Sequence, residues 1–169
     1  MDFHVYCQKE VLSQEALTKE LLDTIVDNLS YIFGEDMGTE ENRNEWIQYN
    51  LRTEHPHWRM IAEGKNGRRR GFLIYTIENH QLTVCDIEIK KDSRRNPILL
   101  LGLFQTLFKT ESHSFRTMRG YINKGNETSQ KNFLKYATSI AELPRGYSFL
   151  IDEEATEKLK SRVLKWRAS

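Results

Sequence analysis

The sequence predicts an α/β fold in which a mixed, mostly antiparallel central sheet carries helices on both faces. Three observations predict it: apolar residues at helical spacing before residue 52, a three-strand meander between residues 58 and 89, and alternating helix and strand patterns afterwards. With 169 residues, of which 38% are hydrophobic and 29% charged, the chain is expected to form one domain over residues 1–169. Residues 152–169 are expected to be a helical extension of that domain.

The N-terminal third predicts one strand followed by two helices. Residues 3–7 have the pattern of a short strand. Ser13 is a favoured N-cap for a helix whose apolar residues keep helical spacing until Gly34, a typical stop residue. A second helix is expected to begin at Thr39 and to carry Trp46.

The central third predicts the meander and the helix that follows it. Strand patterns at residues 58–62 and 71–77 flank a loop containing Asn66-Gly67, which is a strong hairpin signal. A turn at residues 78–80 leads into a third strand at residues 81–89. Asn96 then suits the N-cap, and Pro97 the first position, of a strongly apolar helix.

The last third predicts further alternation of strands and helices. A strand is expected at residues 115–122, and Asn126 can cap a helix that extends to Tyr136. One or two short strands are expected between residues 140 and 151, around Pro144. Asp152 is expected to cap a final amphipathic helix whose apolar stripe can pack on the body or form a contact in a homodimer.

Composition narrows the functions that the chain can have. A net charge of +1 gives no general attraction for nucleic acid or membranes, so any electrostatic function must be local. Cys7 and Cys85 lie in apolar, strand-like contexts and are expected in the core rather than in a disulfide. The first ten residues lack the pattern of a signal peptide, and no stretch is long and apolar enough for a bilayer. We therefore expect a cytoplasmic protein with no membrane partner.

The segment from residue 81 to residue 108 is the most informative part of the chain. Its strand leads into a turn with four cationic side chains, and the apolar helix begins directly after them (Lys90, Lys91, Arg94 and Arg95). A helix N-terminus has free N–H groups and about half a positive charge. The combination suits a polyanion such as a diphosphate. A solvated loop before a core helix is the alternative, and this segment alone leaves both open.

The order of elements and this turn resemble the GNAT superfamily of N-acetyltransferases. In that family the fourth strand is followed by a turn of the form R/Q-x-x-G-x-G/A, whose backbone amides hold the diphosphate of acyl-coenzyme A. Here Ile89 takes the strand-end position and Arg94 the Arg/Gln position, whereas Pro97 and Leu99 replace the two glycines. Pro97 offers no N–H and Leu99 adds bulk. Either basic side chains hold more of the diphosphate charge, or the site has decayed.

The resemblance extends to a second motif after the fifth strand. The family often has an Asn there, a small residue three positions on, and a Tyr seven positions on that protonates the departing thiolate. Asn126 and Ser129 match the first two positions, but the third is Phe133, which cannot donate a proton. Tyr136 lies on nearly the same helix face and is the candidate substitute. Water can also protonate the thiolate, at some loss of rate.

The reaction that the resemblance implies is direct attack of an amine on an acyl thioester. Asp86 and Glu88 are the nearest carboxylates and share one strand face, so either is a candidate base if burial raises its pKa. The alternative is that this face meets solvent. Amides near Ile87 and Ile89, at a splayed or bulged strand end, would bind the thioester oxygen. The cofactor-binding candidates are Ile87, Ile89, Arg94, Arg95, Asn96, Pro97, Ile98, Asn126 and Phe133.

Other patterns carry less information about function. His55, His57 and His80 have no nearby Cys or acidic partner and are expected in solvated turns rather than in a metal site. The run Lys65 to Arg70 could join the basic turn in one positive face, but no nucleic-acid-binding signature accompanies it. Trp46, Tyr49 and Trp58 can be core residues or can line an acceptor pocket.

Two functions from different classes remain at this point. The first is an acyl-CoA-dependent N-acyltransferase, most simply an acetyltransferase, that acts on an amine of a small molecule or a protein. The second is a catalytically degenerate GNAT-like module that binds a protein, a nucleotide or a nucleic acid. The basic turn beside the capped helix favours the first, whereas Phe133 and the missing glycines favour the second.

Overall fold

A computed structural model describes residues 1–65 and 68–167, and its centre is a seven-stranded sheet. The strand order is β1-β2-β3-β4-β5-β7-β6, and of the pairs only β4–β5 is parallel among the described residues. The strands are β1 (Phe3–Cys7), β2 (Arg59–Glu63), β3 (Gly71–Glu78), β4 (Gln81–Ile89), β5 (Thr117–Asn123), β6 (Ser139–Leu143) and β7 (Gly146–Ile151). The predicted fold class is confirmed. The predicted hairpin tip at Asn66-Gly67 lies outside the described residues.

Helices cover both faces of this sheet. They are α1 (Gln8–Ser13), α2 (Glu15–Phe33), α3 (Glu40–Ile47), α4 (Pro97–Thr110), α5 (Glu127–Phe133) and α6 (Glu153–Lys165), with a π-helical turn (Gln48–Arg52) after α3. On one face, α1 and α2 pack on Met60, Phe72 and Ile74. On the other face, α4 and α6 pack on Leu73 and Tyr75. No helix in the described part of the chain is long and apolar enough to cross a bilayer.

Most of the predicted helix ends are present because they depend on local hydrogen bonds. The Asn96 side chain accepts from the Ile98 amide, and Thr39, Asn126 and Asp152 cap their helices in the same way. Gly34 ends α2 with a φ of +70°, a conformation that glycine adopts without strain. The N-cap prediction at Ser13 is wrong. Burial of Val11 draws residues 8–13 into a helix of their own, and α2 begins only after Gln14.

An irregularity in β4 opens the sheet in the middle. Asp86 pairs with Ile74 and Val84 with Tyr75, which leaves Cys85 as an extra residue in a β-bulge. The pairing of β4 with β5 stops at Val84 and Gly120, although β4 continues to Ile89 and β5 to Asn123. The two parallel strands therefore diverge toward the C-terminal end of β4. Cys85, expected in the core, is exposed at this bulge.

The C-terminal helix packs on the body of the sheet. The side chain of Gln105 in α4 donates hydrogen bonds to the Val163 and Trp166 carbonyls at the end of α6, at 2.9 and 2.7 Å. The buried Lys160 ammonium donates to the Phe115 carbonyl at 2.8 Å and lies 4.0 Å from the centre of the Phe115 ring. Val163 is buried, and Ala155 and Leu159 pack against the same core as α4, so this part of the apolar stripe packs on the body of the domain.

Candidate functional site

Two carboxyl groups lie side by side beneath α2. Asp86 and Glu88 pair across the sheet with Ile74 and Phe72, two residues of the core on the α2 face. Glu88 is 6% exposed, whereas Asp86 keeps partial exposure. The face that carries them is therefore covered at Glu88 rather than open to solvent.

Their environment favours the protonated forms of both groups. Burial raises the pKa of Glu88 well above its usual range, and the neighbouring Asp86 carboxyl raises it further. Burial also raises the pKa of Asp86, although hydrogen bonds with Glu88, the Ile87 amide and the Trp46 side chain oppose that rise. Two carboxyls this close hold a shared proton to a higher pH than isolated ones do. This is the environment that makes a carboxylate a usable base.

Asn28 of α2 is the residue that the sequence interpretation missed. Its side-chain amide donates to the Glu88 carboxylate and, at 3.2 Å, to the Ile89 carbonyl, while its oxygen accepts from the Arg94 guanidinium. Arginine only donates and a backbone carbonyl only accepts, so the orientation of the Asn28 amide is fixed. Asn28 therefore links the carboxyl pair to the basic turn. The signal that could have found it is a polar residue on the apolar stripe of α2, three positions after the buried Ile25.

The turn between β4 and α4 uses most of its amides internally. The Ser93 and Asn96 amides donate to the Lys90 and Ser93 carbonyls at 2.8 and 3.0 Å. The Ile98 amide donates to the Asn96 side chain, and the Leu99 amide to the Asn96 carbonyl. Among the described residues no acceptor is found for the Arg95 amide. A diphosphate here would meet few free amides, that of Arg95 among them, together with the basic side chains.

The two residues at the glycine positions differ in their effect on this turn. Leu99 is fully buried and packs against Gly71 of β3, so its bulk faces the sheet. The expectation that Leu99 crowds the turn is therefore wrong. Pro97 and Ile98 are exposed at the start of α4, and Pro97 contributes no N–H.

Four of the eight basic side chains expected on one positive face are in ion pairs, one of them Lys65 with Asp2 at 2.8 Å. Glu20 of α2 binds Arg69 at 2.9 Å and Lys90 at 2.7 Å. Glu63 binds Arg70 at 2.7 Å. Arg94 lies over the Tyr31 ring, 5.2 Å from its centroid. In the described part of the turn, Lys91 and Arg95 are exposed without an ion pair. Apart from the exposed Arg68, the positive charge without an ion pair in the two described basic runs lies at the turn, which suits a small polyanion better than a nucleic acid.

A cleft lies between α2 and α3, on the same face as the carboxyl pair. It encloses about 310 Å³, and its wall is mostly apolar (Leu22, Ile25, Val26, Leu29, Met37, Trp46 and Tyr49, with Asn42, Arg43, Glu45 and Asn50). Trp46 lines the cleft and its side chain lowers the pKa of Asp86, so the cleft adjoins the carboxyl pair. Trp58 is 2% exposed and belongs to the core instead.

Phe133 and Tyr136 lie on the other face of the sheet, against the core under α4. Asn126 caps α5, and the Phe133 ring packs 5.8 Å from the Phe104 ring of α4. Tyr136 follows in a short 3-10 turn and packs against the same α4-side core. The structure thus brings Asp86, Glu88, Arg94 and the strand end together, and it places Phe133 and Tyr136 across the diverging strands from them.

His57 and His80 lie in exposed turns, as expected, but His57 also contacts a buried carboxylate. The His57 ring lies 2.9 Å from the buried Glu111 carboxylate, which also accepts from the Tyr75 hydroxyl at 3.0 Å. This cluster anchors the C-terminal end of α4 to β3. No group of three or more His, Cys, Asp or Glu side chains suited to a metal ion is present in residues 1–65 and 68–167.

No protein-family model and no curated protein matches this sequence. Solved structures do match the fold. The PaiA N-acetyltransferase from Thermoplasma acidophilum, in complex with coenzyme A, shares 9% identity at a TM-score of 0.62, over 90% of this chain and 99% of that one. An integron cassette protein from the mobile metagenome of V. cholerae shares 18% identity at a TM-score of 0.61, over 94% of this chain and 96% of that one.

A third match is a complex with an acceptor. The diaminobutyrate acetyltransferase EctA from Paenibacillus lautus, with L-2,4-diaminobutyric acid and coenzyme A, shares 15% identity at a TM-score of 0.57, over 90% of this chain and 95% of that one. The chain has the fold of the GNAT N-acetyltransferases.

Proposed function

We propose that the protein is an acyl-CoA-dependent N-acyltransferase that transfers an acyl group, most simply acetyl, to an amine. The observation that carries the proposal is the juxtaposition of a buried carboxyl pair, a diverging strand pair and a basic turn at a helix N-terminus. The matches to structures that contain coenzyme A support it at the level of the fold.

Coenzyme A would be held mainly by side chains in this site. Arg94, Arg95 and Lys91 would pair with its phosphates, and the Arg95 amide would add a backbone donor. Residues 85–89 of β4 have no strand partner on the β5 side, so backbone groups there, with Ile87 and Ile89 as candidates, would bind the pantetheine arm and the thioester oxygen. This assignment differs from the amide-lined turn that the resemblance implies.

The transfer needs one base and one proton donor. The amine nitrogen attacks the thioester carbonyl carbon, its proton passes to Glu88 or Asp86, and the C–S bond breaks as the thiolate leaves. Water or Tyr136 returns a proton to the sulfur. The acceptor would reach this point through the cleft between α2 and α3, whose apolar wall suits an amine on a hydrophobic body.

Calorimetric titration with acetyl-CoA and a thiol-release assay over a panel of amines test the proposal together. We expect micromolar binding and thiol release that depends on the amine. Absence of binding to any coenzyme A species at millimolar concentration would exclude the acyltransferase function. The catalytically degenerate binding module would then be the remaining function.

Arg94→Ala is expected to weaken coenzyme A binding about tenfold or more, because a charge-assisted hydrogen bond to phosphate contributes about 1.5–3 kcal/mol. Titration calorimetry of the variant measures the loss. Lys109→Ala, a basic residue at the other end of α4, is the matched control. Equal affinity of Arg94→Ala and wild type would show that Arg94 does not hold the phosphates.

The second candidate function is a catalytically degenerate module that binds a protein, nucleotide or nucleic-acid partner. The internally bonded turn favours it, since the Asn96 side chain already occupies the Ile98 amide. The acetyl-CoA titration separates the two functions, because a degenerate module that has lost its phosphate site does not respond.

Asn96→Gly tests whether this cap limits phosphate binding. The change frees the Ile98 amide, and glycine at an N-cap costs only a few tenths of a kcal/mol relative to Asn. We therefore expect a several-fold tighter complex with coenzyme A and a melting temperature close to that of the wild type. Asn126→Gly, the same change at the cap of α5, is the control. Weaker binding in Asn96→Gly would instead show that the Asn96 side chain contacts the ligand.

A further inference from the structure

Asn28 stands between two sites that the proposed function uses for different purposes. Its amide group holds the Glu88 carboxylate, and its oxygen holds the Arg94 guanidinium of the basic turn. Both N–H donors of Asn28 are in use when its contact to the Ile89 carbonyl is included, and its oxygen accepts from Arg94. A change in the position of Arg94 therefore alters the hydrogen bond that Asn28 donates to Glu88.

The charged groups around Glu88 are few. Asp86 lies two residues before it on β4, and Arg94 approaches from the turn. Its cross-strand partner on β3 is the apolar Phe72. Beyond the end of β4, Lys90 forms an ion pair with Glu20 of α2. Asn28 and Arg94 are the two groups that favour the ionised form of Glu88, against burial and Asp86.

We propose that Asn28 is a positioning residue that couples the two sites, so that an anion which draws Arg94 away from Asn28 drives proton uptake at Glu88. The anion also brings negative charge toward the carboxylate, which acts in the same direction. By reciprocity, protonation of Glu88 releases Arg94 and favours anion binding, so affinity for the anion falls as the pH rises through the titration of Glu88. The coupling needs only a diphosphate at the turn. Its catalytic consequence rests on the proposed function: cofactor binding would make the Glu88 carboxylate more basic and would lower the fraction that is ionised at a given pH.

The first test needs no ligand. Carboxyl ¹³C NMR of protein labelled with glutamate, with Glu88 identified as the signal lost in Glu88→Gln, gives its titration midpoint. Asn28→Ala removes a hydrogen bond to the carboxylate, and Arg94→Ala removes the nearby positive charge that Asn28 holds, so the midpoint should move up in both variants. Arg95→Ala, an exposed neighbour with no contact to Asn28, should move it much less. An unchanged midpoint in Arg94→Ala and Asn28→Ala would overturn the coupling.

The second test adds the anion. Calorimetric titrations with coenzyme A and with inorganic pyrophosphate, each in two buffers of different ionisation enthalpy, count the protons taken up on binding. We expect greater uptake by the wild type than by Glu88→Gln, which controls for protons taken up by the phosphates themselves. Equal uptake by the two proteins would refute the proposal. If neither anion binds, the proposed function fails, and the NMR midpoints still decide whether Arg94 and Glu88 are coupled.

Discussion

Glu88→Gln is expected to abolish acyl transfer and, above neutral pH, to make the protein more stable. Gln cannot take the amine proton, and loss of a general base costs about 10²–10⁴-fold in rate. The thiol-release assay measures this loss as kcat at saturating acetyl-CoA. Because Gln keeps the shape of Glu and can still accept the Asn28 hydrogen bond, the contacts of α2 with β4 should survive.

The gain in stability follows from the direction of the pKa shift. The folded protein raises the pKa of Glu88 above its ordinary value of 4.5, so the unfolded chain releases the proton at a lower pH. The stability that this proton contributes is complete below the unfolded pKa and is lost as the pH rises through the folded pKa. Gln has no proton to lose. The melting temperature of Glu88→Gln should therefore match that of the wild type near pH 4 and exceed it at pH 8.

Glu78→Gln is the matched control, since Glu78 is exposed at the end of β3. Its melting temperature should follow that of the wild type at every pH. A Glu88→Gln variant that is less stable than wild type at pH 8 would mean that Asn28 and Arg94 stabilise the ionised Glu88 by more than its burial costs. That result would contradict the assignment of Glu88 as a base held at high pKa.

The parts of the fold that the sequence predicts are those that depend on near neighbours. The caps at Thr39, Asn96, Asn126 and Asp152 each join a side chain to an amide two or three residues away, so their spacing is visible in the chain. The carboxyl pair is visible for the same reason, because Asp86 and Glu88 are two residues apart on one strand. Whether a helix covers that strand face depends on tertiary packing, which the spacing along the strand does not show.

The parts of the site that the sequence does not predict depend on distant partners. Asn28 and Glu88 are 60 residues apart, and nothing local to either indicates the other. Likewise, the run of positive charge from Lys65 to Arg70 predicts a basic face only if its side chains are free. Glu63 and Glu20, the latter 49 residues from Arg69, neutralise part of it. A run of basic residues therefore indicates an electrostatic site only if no acidic residue from elsewhere in the fold neutralises it, and the sequence does not show such distant partners.

Glu20→Gln is expected to destabilise the protein at pH 7 by about 3 kcal/mol, the loss typical of breaking a buried ion pair from one side. Glu20 holds α2 to the open end of the β3–β4 hairpin, since one carboxylate binds the buried Arg69 before β3 and the partly exposed Lys90 after β4. Its removal leaves the Arg69 guanidinium, in a residue that is 6% exposed, without its carboxylate partner. Urea denaturation of the two proteins measures the difference, with the exposed Glu15→Gln on the same helix as the control.

The pH dependence of this loss separates the ion pair from simple packing. Burial alone would raise the pKa of Glu20, but hydrogen bonds from Lys90 and Arg69 outweigh it and lower the pKa below its ordinary 4.5. The stability contributed by the carboxylate is therefore present above the unfolded pKa and lost as the pH falls through the folded pKa. The difference between wild type and Glu20→Gln should shrink below about pH 4. A difference that stays constant from pH 7 to pH 3 would assign the loss to shape, and the charge of Glu20 would then have no part in holding α2 over the site.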